Sequence, residues 1–338
     1  MAQNLIKKVL VTGGAGFIGS NYVRYALQHH PTWEIVVLDK LTYAGNLENL
    51  SAVSDRITFI QGDIADPQDV QKATEGIDCM INFAAESHVD RSLKDPYPFI
   101  STNIQGTLVL LEAARDRQVK RFVHVSTDEV YGDLSGTDRH SLESDALAPR
   151  SPYAASKAGA EHLVFSYHIS YGLNAVVTRG SNTYGSNQYP EKIIPLFITN
   201  ALEGKSLPVY GDGSAVRDYL HVEDHCSGID TVLQFGESGR AYNLGARLAV
   251  SGIEVAHQVL ALLKQPESLM QFVTDRPGHD YRYSVDPSSA ESLGWLRQWD
   301  FSRGLAQTVA WYQGHSDWWQ RLKNKEAFSE HYMQWYSR

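Results

Sequence analysis

The 338 residues carry 30 Lys+Arg against 39 Asp+Glu, a formal net charge of −9, which argues against a nucleic-acid binder held by phosphate contacts. At about 100–200 residues per domain the length suggests two domains or one large one, and a composition 43% hydrophobic and 20% charged excludes wholesale disorder. Two cysteines, Cys79 and Cys226, exclude a disulfide scaffold and fit a cytoplasmic location, and with no apolar window near ~20 residues neither a membrane span nor a targeting segment is expected.

In chain order, residues 8–12, 34–39, 57–61, 79–84, 122–126 and 175–178 read as strands. Each is apolar or β-branched on both faces, as parallel strands covered by helices are. Helical patterns at 17–28, 67–74, 97–115 and 153–170 lie between them. Repeated β-α units predict an α/β fold, a doubly wound parallel sheet of Rossmann type. After about Tyr184 the rhythm breaks into loops rich in Gly, Pro, Asn and Asp, with helical patterns at 193–203, 222–235, 253–263 and 301–322. The division expected is residues 1–180 as a dinucleotide-binding domain and 181–338 as a smaller substrate-binding lobe, with the chain free to cross back. The C-terminal aromatics Trp311, Tyr312, Trp318, Trp319 and Trp335 are read as packing anchors rather than a sugar platform.

Thr12-Gly13-Gly14-Ala15-Gly16-Phe17-Ile18-Gly19 follows the first strand and opens the first helix. Glycines at 13, 16 and 19 suit a tight turn and close approach to a pyrophosphate, which then faces the helix N-terminus. Asp39 ends the second strand, where a carboxylate accepts hydrogen bonds from ribose hydroxyls and repels a 2′-phosphate. Together these predict NAD rather than NADP, with Lys40 dissenting because a cation tolerates phosphate. Asp63, after the third strand, either meets the adenine or caps the helix that begins near Pro67. His221 and His225 stand four apart, but the glutamate of a His-Glu-x-x-His motif is missing, so no metal is expected.

Tyr153 and Lys157 form a Tyr-x-x-x-Lys pair on one helix face. An ammonium beside a phenol favours phenolate and lowers its pKa, giving a base for an alcohol proton. With the glycine-rich turn and the five further strands, this resembles the extended short-chain dehydrogenase/reductase family over nearly the whole chain. Ser126-Thr127-Asp128-Glu129-Val130-Tyr131-Gly132 lies where the fifth strand ends, the edge at which doubly wound sheets bind ligands. Adjacent carboxyls there suggest an acid and a base in one pocket, and Thr-Asp-Glu is similar to the nucleotide-sugar 4,6-dehydratases of that family. The segments 39–47, 84–92, 190–195, 216–219, 222–225 and 275–280 resemble the same enzymes.

The resemblance implies NAD as cofactor, a nucleoside diphosphoglucose as substrate, with dTDP-glucose favoured over UDP-glucose, and a homodimer paired through the helices near 99–114 and 153–167. It implies Thr127, Asp128, Glu129, Tyr153 and Lys157 as catalytic residues. On the cofactor side it adds Phe17, Ile18, Thr42, Ile64, Ala84, Ala85, Ser87 and Thr102 to Gly13, Gly16, Gly19, Asp39, Lys40, Asp63, Tyr153 and Lys157. On the substrate side it implies Ser87, His88, Thr127, Asn182, Glu191, Lys192, Pro208, Tyr210, Arg217, Arg276 and His279. The sequence departs from the family pattern at Thr183 and Ser186, and at Gly252, where the family often carries an asparagine that meets the nucleotide. A 4-epimerase, a decarboxylase, a UDP-glucose dehydratase and a catalytically silent NAD-sensing regulator remain alternatives.

Overall fold

A computed structural model describes residues 6–275 and 280–336. The strands are β1 (Lys8–Thr12), β2 (Glu34–Asp39), β3 (Ile57–Gln61), β4 (Cys79–Asn82), β5 (Arg121–Thr127), β6 (Ala175–Gly180), β7 (Asn182–Tyr184), β8 (Leu207–Tyr210), β9 (Val216–Arg217), β10 (Tyr219–His221), β11 (Ala241–Leu244), β12 (Val250–Ser251) and β13 (Met270–Val273). Seven of them form one parallel sheet in the order β11-β6-β5-β4-β1-β2-β3. The order reverses between β1 and β4, which opens a crevice at the carboxyl ends of these strands, where open α/β sheets bind ligands.

The sheet is apolar on both faces because helices cover both. On one face the Phe17–His29 and Val222–Phe235 helices pack Tyr22, Val23, Ala26, Ile229 and Val232 against Val9, Val11, Val37 and Val176. On the other, Val70, Leu110, Leu111 and Val164 cover Leu10, Leu38, Phe122 and Val177. A separate apolar cluster joins Tyr184, Phe197, Val255, Leu305, Tyr312, Trp318 and Trp319 away from the sheet. There the C-terminal aromatics Tyr312, Trp318 and Trp319 are buried as anchors.

The structure departs from the sequence reading in several elements. Strand β11 returns from the second half of the chain and pairs with β6 at the sheet edge. Residues Leu47–Arg56 form an additional 3-10 segment. The 97–115 pattern contains a wide π-type stretch over Ile100–Gly106. The 301–322 pattern is two helices, Phe301–Gly314 and Ser316–Lys323, parted at His315, whose ring stacks on Trp311. His221 receives the Glu223 N–H at a helix start, and His225 Nδ1 meets the Thr183 hydroxyl at 2.7 Å, so each ring has a local partner.

Candidate active site

The glycine-rich turn is built by close backbone approach. Gly13 sits at φ +67°, and a Cβ there would come within 2.6 Å of the Ala84 nitrogen; one at Gly19 would come within 2.3 Å of the Gly13 oxygen. Side chains are excluded at both places by neighbouring backbone, which packs the turn tightly against residues 83–84 and against the start of its own helix. Asp39 accepts the Leu41 N–H at 2.8 Å and the Ala15 N–H at 2.9 Å, which fixes its carboxylate beside that turn. Burial raises its pKa and these two bonds oppose the rise.

Lys40 donates to Asp63 at 2.6 Å, so the cation that clouded the NAD reading is drawn to a neighbouring carboxylate. Asp63 is not the helix cap; Asp66 is, accepting the Gln68 N–H. Around this cleft stand Gly13, Gly16, Phe17, Ile18, Gly19, Asp39, Lys40, Thr42, Asp63, Ile64, Ala84, Ala85, Ser87, Thr102, Tyr153 and Lys157. The donors, glycines and carboxylate fit NAD.

A second cleft adjoins the first at Glu191 and Lys192, which line both. It brings together His88, Glu129, Asn182, Glu191, Lys192, Pro208, Tyr210 and Arg217. Glu191 is paired with Arg91 at 2.9 Å, and Lys192 donates to the Ser87 carbonyl at 3.0 Å. Arg217 donates to the Asp280 and Val216 carbonyls at 2.8 Å and lies 4.8 Å from the Tyr283 ring centroid. The buried Asn182 Oδ1 has no partner among the described residues. Arg276 and His279 lie outside the described residues.

Between the clefts, β5 runs into a short turn, Asp128–Tyr131. The Thr127 hydroxyl caps it, accepting the Glu129 N–H at 3.2 Å and donating to Asp128 at 3.3 Å. Asp128 is buried, and its Oδ2 has no partner among the described residues. Burial, with Glu129 and Asp218 adding, pushes its pKa well above the carboxylate range; Arg217 and Thr127 oppose this. That direction favours the protonated form, the one that can donate a proton. Tyr131 holds the far end of the turn by donating to Asn243 at 2.8 Å while accepting from Arg179 at 2.7 Å.

The Pro152–Tyr171 helix begins with Ser151 accepting the Ala154 N–H and Pro152 in the first turn, which places Tyr153 at its mouth. Here the structure corrects the sequence reading. Burial and the Glu129 charge raise the Tyr153 phenol, with the Thr127 hydroxyl opposing them. Lys157 does not lower it: its ammonium turns to the Val125 carbonyl at 2.6 Å and to His124 at 3.4 Å. Burial brings Lys157 itself down to about 8.

Several lining residues escaped the sequence reading. Ser126, Tyr43, Gln188 and Tyr189 face the first cleft, and Phe197, Tyr219 and Tyr283 the second, where Gly252, singled out by its departure from the family pattern, also lies. Ser126 was legible from its place at the end of β5; Tyr283 has no local signal and arrives through tertiary folding.

A glycine-rich first turn, a Tyr-x-x-x-Lys helix and a carboxylate-bearing turn at one sheet edge define an extended short-chain dehydrogenase/reductase. The chain belongs to the family described as GDP-mannose 4,6 dehydratase, whose model matches residues 10–308. It is 47% identical to the dTDP-glucose 4,6-dehydratase of Actinoplanes sp. over 92% of this chain and 99% of that one. It is also 47% identical to the low-salt glycan biosynthesis protein Agl12 of Haloferax volcanii, over 91% of this chain and 99% of that one. DesIV, a dTDP-glucose 4,6-dehydratase of Streptomyces venezuelae solved with NAD and TYD bound, superposes with a TM-score of 0.91. It is 48% identical, over 94% of this chain and 100% of that one.

Proposed function

We propose that the protein is an NAD-dependent dTDP-glucose 4,6-dehydratase, converting its substrate to the 4-keto-6-deoxy sugar nucleotide and water for deoxysugar synthesis. One observation carries the reading: two adjacent carboxyls lie near enough to the Tyr153 phenol for their charges to raise it, and burial raises one of them, Asp128, toward its protonated form. A 4-epimerase needs no such acid, and a sensor needs neither carboxyl. NAD held by the glycine turn, Asp39 and Lys157 supplies the acceptor that takes a hydride from C4 and returns it at C6.

This chain's residues do the rest. Tyr153, hydrogen-bonded with the Thr127 hydroxyl, would take the proton from the 4-hydroxyl in its phenolate form, which the positive charge of bound oxidised NAD would favour. The C4 ketone acidifies the C5 proton, which Glu129 removes. Asp128 gives its proton to the C6 oxygen as water leaves. Asn182, Lys192 and Arg217 line the second cleft and present donors to a diphosphate; residues 1–180 supply most of the dinucleotide cleft and 181–338 most of the second, with each half lending residues to the other. Gly252 keeps a UDP-glucose reading open, since a Cβ there would meet only ordinary contacts at 3.6 Å. Mass spectrometry of purified protein incubated with dTDP-glucose tests the proposal: loss of one water is expected, and an unchanged mass refutes it.

The assembly proposed is a homodimer. Ile100, Leu108, Ile169 and Tyr171 are exposed on the 100–116 and 152–171 helical segments, an apolar face that a second copy would cover. Sedimentation as a monomer at micromolar concentration would refute it. No described helix is long and apolar enough to cross a membrane, and the buried free thiols of Cys79 and Cys226 support a cytoplasmic site of action.

A further inference from the structure

We propose that Asn49 is a positioning residue through which the C-terminal helices hold the dinucleotide cleft closed, and that this hold governs how slowly the dinucleotide leaves. The inference rests on reading that cleft as the NAD site.

Asn49 is 4% exposed, and its side-chain amide makes three hydrogen bonds. Its Nδ2 donates to the Ala15 carbonyl at 2.9 Å. Its Oδ1 accepts from Trp318 Nε1 at 3.0 Å and from Asn187 at 3.2 Å. An indole N–H only donates, so it fixes which way the amide faces. Ala15 lies within the glycine-rich turn, and its carbonyl also receives the Asn46 N–H at 3.0 Å while its own N–H is given to Asp39 at 2.9 Å. Both backbone groups of this one residue are thus tied, and the amide side of the tie runs to Trp318.

A second tie runs parallel to it. Arg24, on the helix that the turn opens, donates to the Asn49 carbonyl and reaches Asn187 at 2.9 Å. Tyr312 donates to the carbonyl of Gln188, a residue lining the dinucleotide cleft. Trp318 is itself locked, 7% exposed, with its ring edge-on to Trp311 at 5.0 Å between centroids.

Trp318 and Tyr312 lie beyond residue 308, where the match to the family model ends. A turn whose N–H groups are held in shape before binding loses little freedom when a pyrophosphate arrives. A reaction that returns its hydride in every cycle has no need to release its cofactor, and slow release suits it.

Trp318→Phe tests this, because it keeps an aromatic ring and removes only the N–H. Holoprotein would be mixed with excess labelled NAD and the exchange rate followed by rapid desalting. One buried hydrogen bond lost predicts release roughly 5–30-fold faster. Excess NAD should restore turnover to within about twofold of wild type, and the melting temperature of NAD-free protein should change little. Asn49→Ala should accelerate release at least as much, and the double variant should fall short of the sum of the two effects. Wild-type exchange in Trp318→Phe, or full additivity in the double variant, would overturn the hold while leaving the NAD site standing. Wild-type protein that takes up no NAD would instead overturn the cleft's assignment and this inference with it.

Discussion

Asp128→Asn separates the acid step from the oxidation that precedes it. The substitution keeps the shape of the buried group, and the Thr127 bond to Oδ1 at 3.3 Å survives it. The fold therefore loses little, and the change is chemical: an amide has no acidic proton to give the C6 oxygen. A positioned general acid contributes about 10²–10⁴-fold, which at 1.36 kcal/mol per decade is roughly 3–5 kcal/mol of barrier. That loss falls on water elimination alone, since Tyr153 and Lys157, which serve the C4 oxidation, are untouched. Rapid-quench analysis with dTDP-glucose should show the 4-keto-glucose nucleotide accumulating, with reduced nicotinamide rising in absorbance alongside it. If C4 oxidation fell as far as elimination, the role given to Asp128 would be wrong, and the turn would be serving Tyr153 instead.

Tyr153→Phe removes the acceptor of the alcohol proton and should cost at least tenfold in turnover, about 10²–10⁴-fold being typical, while desalted protein still carries NAD; a variant keeping more than roughly a tenth of wild-type turnover contradicts the assignment. Lys157, lowered from 10.5 to about 8 by burial, loses its ammonium as pH rises through that value, so kcat/KM should fall on the alkaline side near pH 8. Lys157→Arg, which stays charged, should lack that limb. The sign for stability is opposite: between pH 8 and 10.5 only the unfolded chain holds this proton, so its contribution to stability rises with pH. In competition, dTDP-glucose should exceed UDP-glucose in kcat/KM by roughly 10–200-fold. Gly252→Asn, whose Cβ would make only ordinary contacts at 3.6 Å, should widen the ratio; a ratio near one in the wild type would refute the base assignment and leave the dehydration untouched.

The sequence made the first six strands legible because each is a continuous apolar or β-branched run between helical patterns. Strand β11 was illegible for a physical reason: Ala241-Tyr242-Asn243-Leu244 is short and carries a buried amide. That amide is stable only because Tyr131 and Ser141, over a hundred residues away, satisfy it. The break at His315 was hidden likewise, since Phe301 to Leu322 keeps a helical period across it. At the site, residue types and spacing named the carboxyls, the phenol and the lysine, but not where the lysine points. The carbonyl of Val125 is a backbone acceptor, and no sequence pattern marks which carbonyl a buried ammonium will reach. Asn49 and Trp318 are 269 residues apart in the chain, and each looked unremarkable there.

The electrostatics of the turn bear on the order of proton transfers in the proposed reaction. The Glu129 charge is a cause of the raised pKa of both Asp128 and Tyr153. While Glu129 is ionised its charge adds to the burial that raises Asp128, and it makes the phenolate of Tyr153 a stronger base once formed. When Glu129 takes the C5 proton, its charge disappears and the repulsion that raised Asp128 goes with it. Asp128 then becomes a stronger acid at the moment the C6 oxygen must leave as water. The coupling acts because neighbouring charges are poorly screened around the buried Asp128. The adjacency of the two carboxyls is therefore part of the chemistry: base and acid on separate elements would each hold a proton, but taking up one would not drive release of the other.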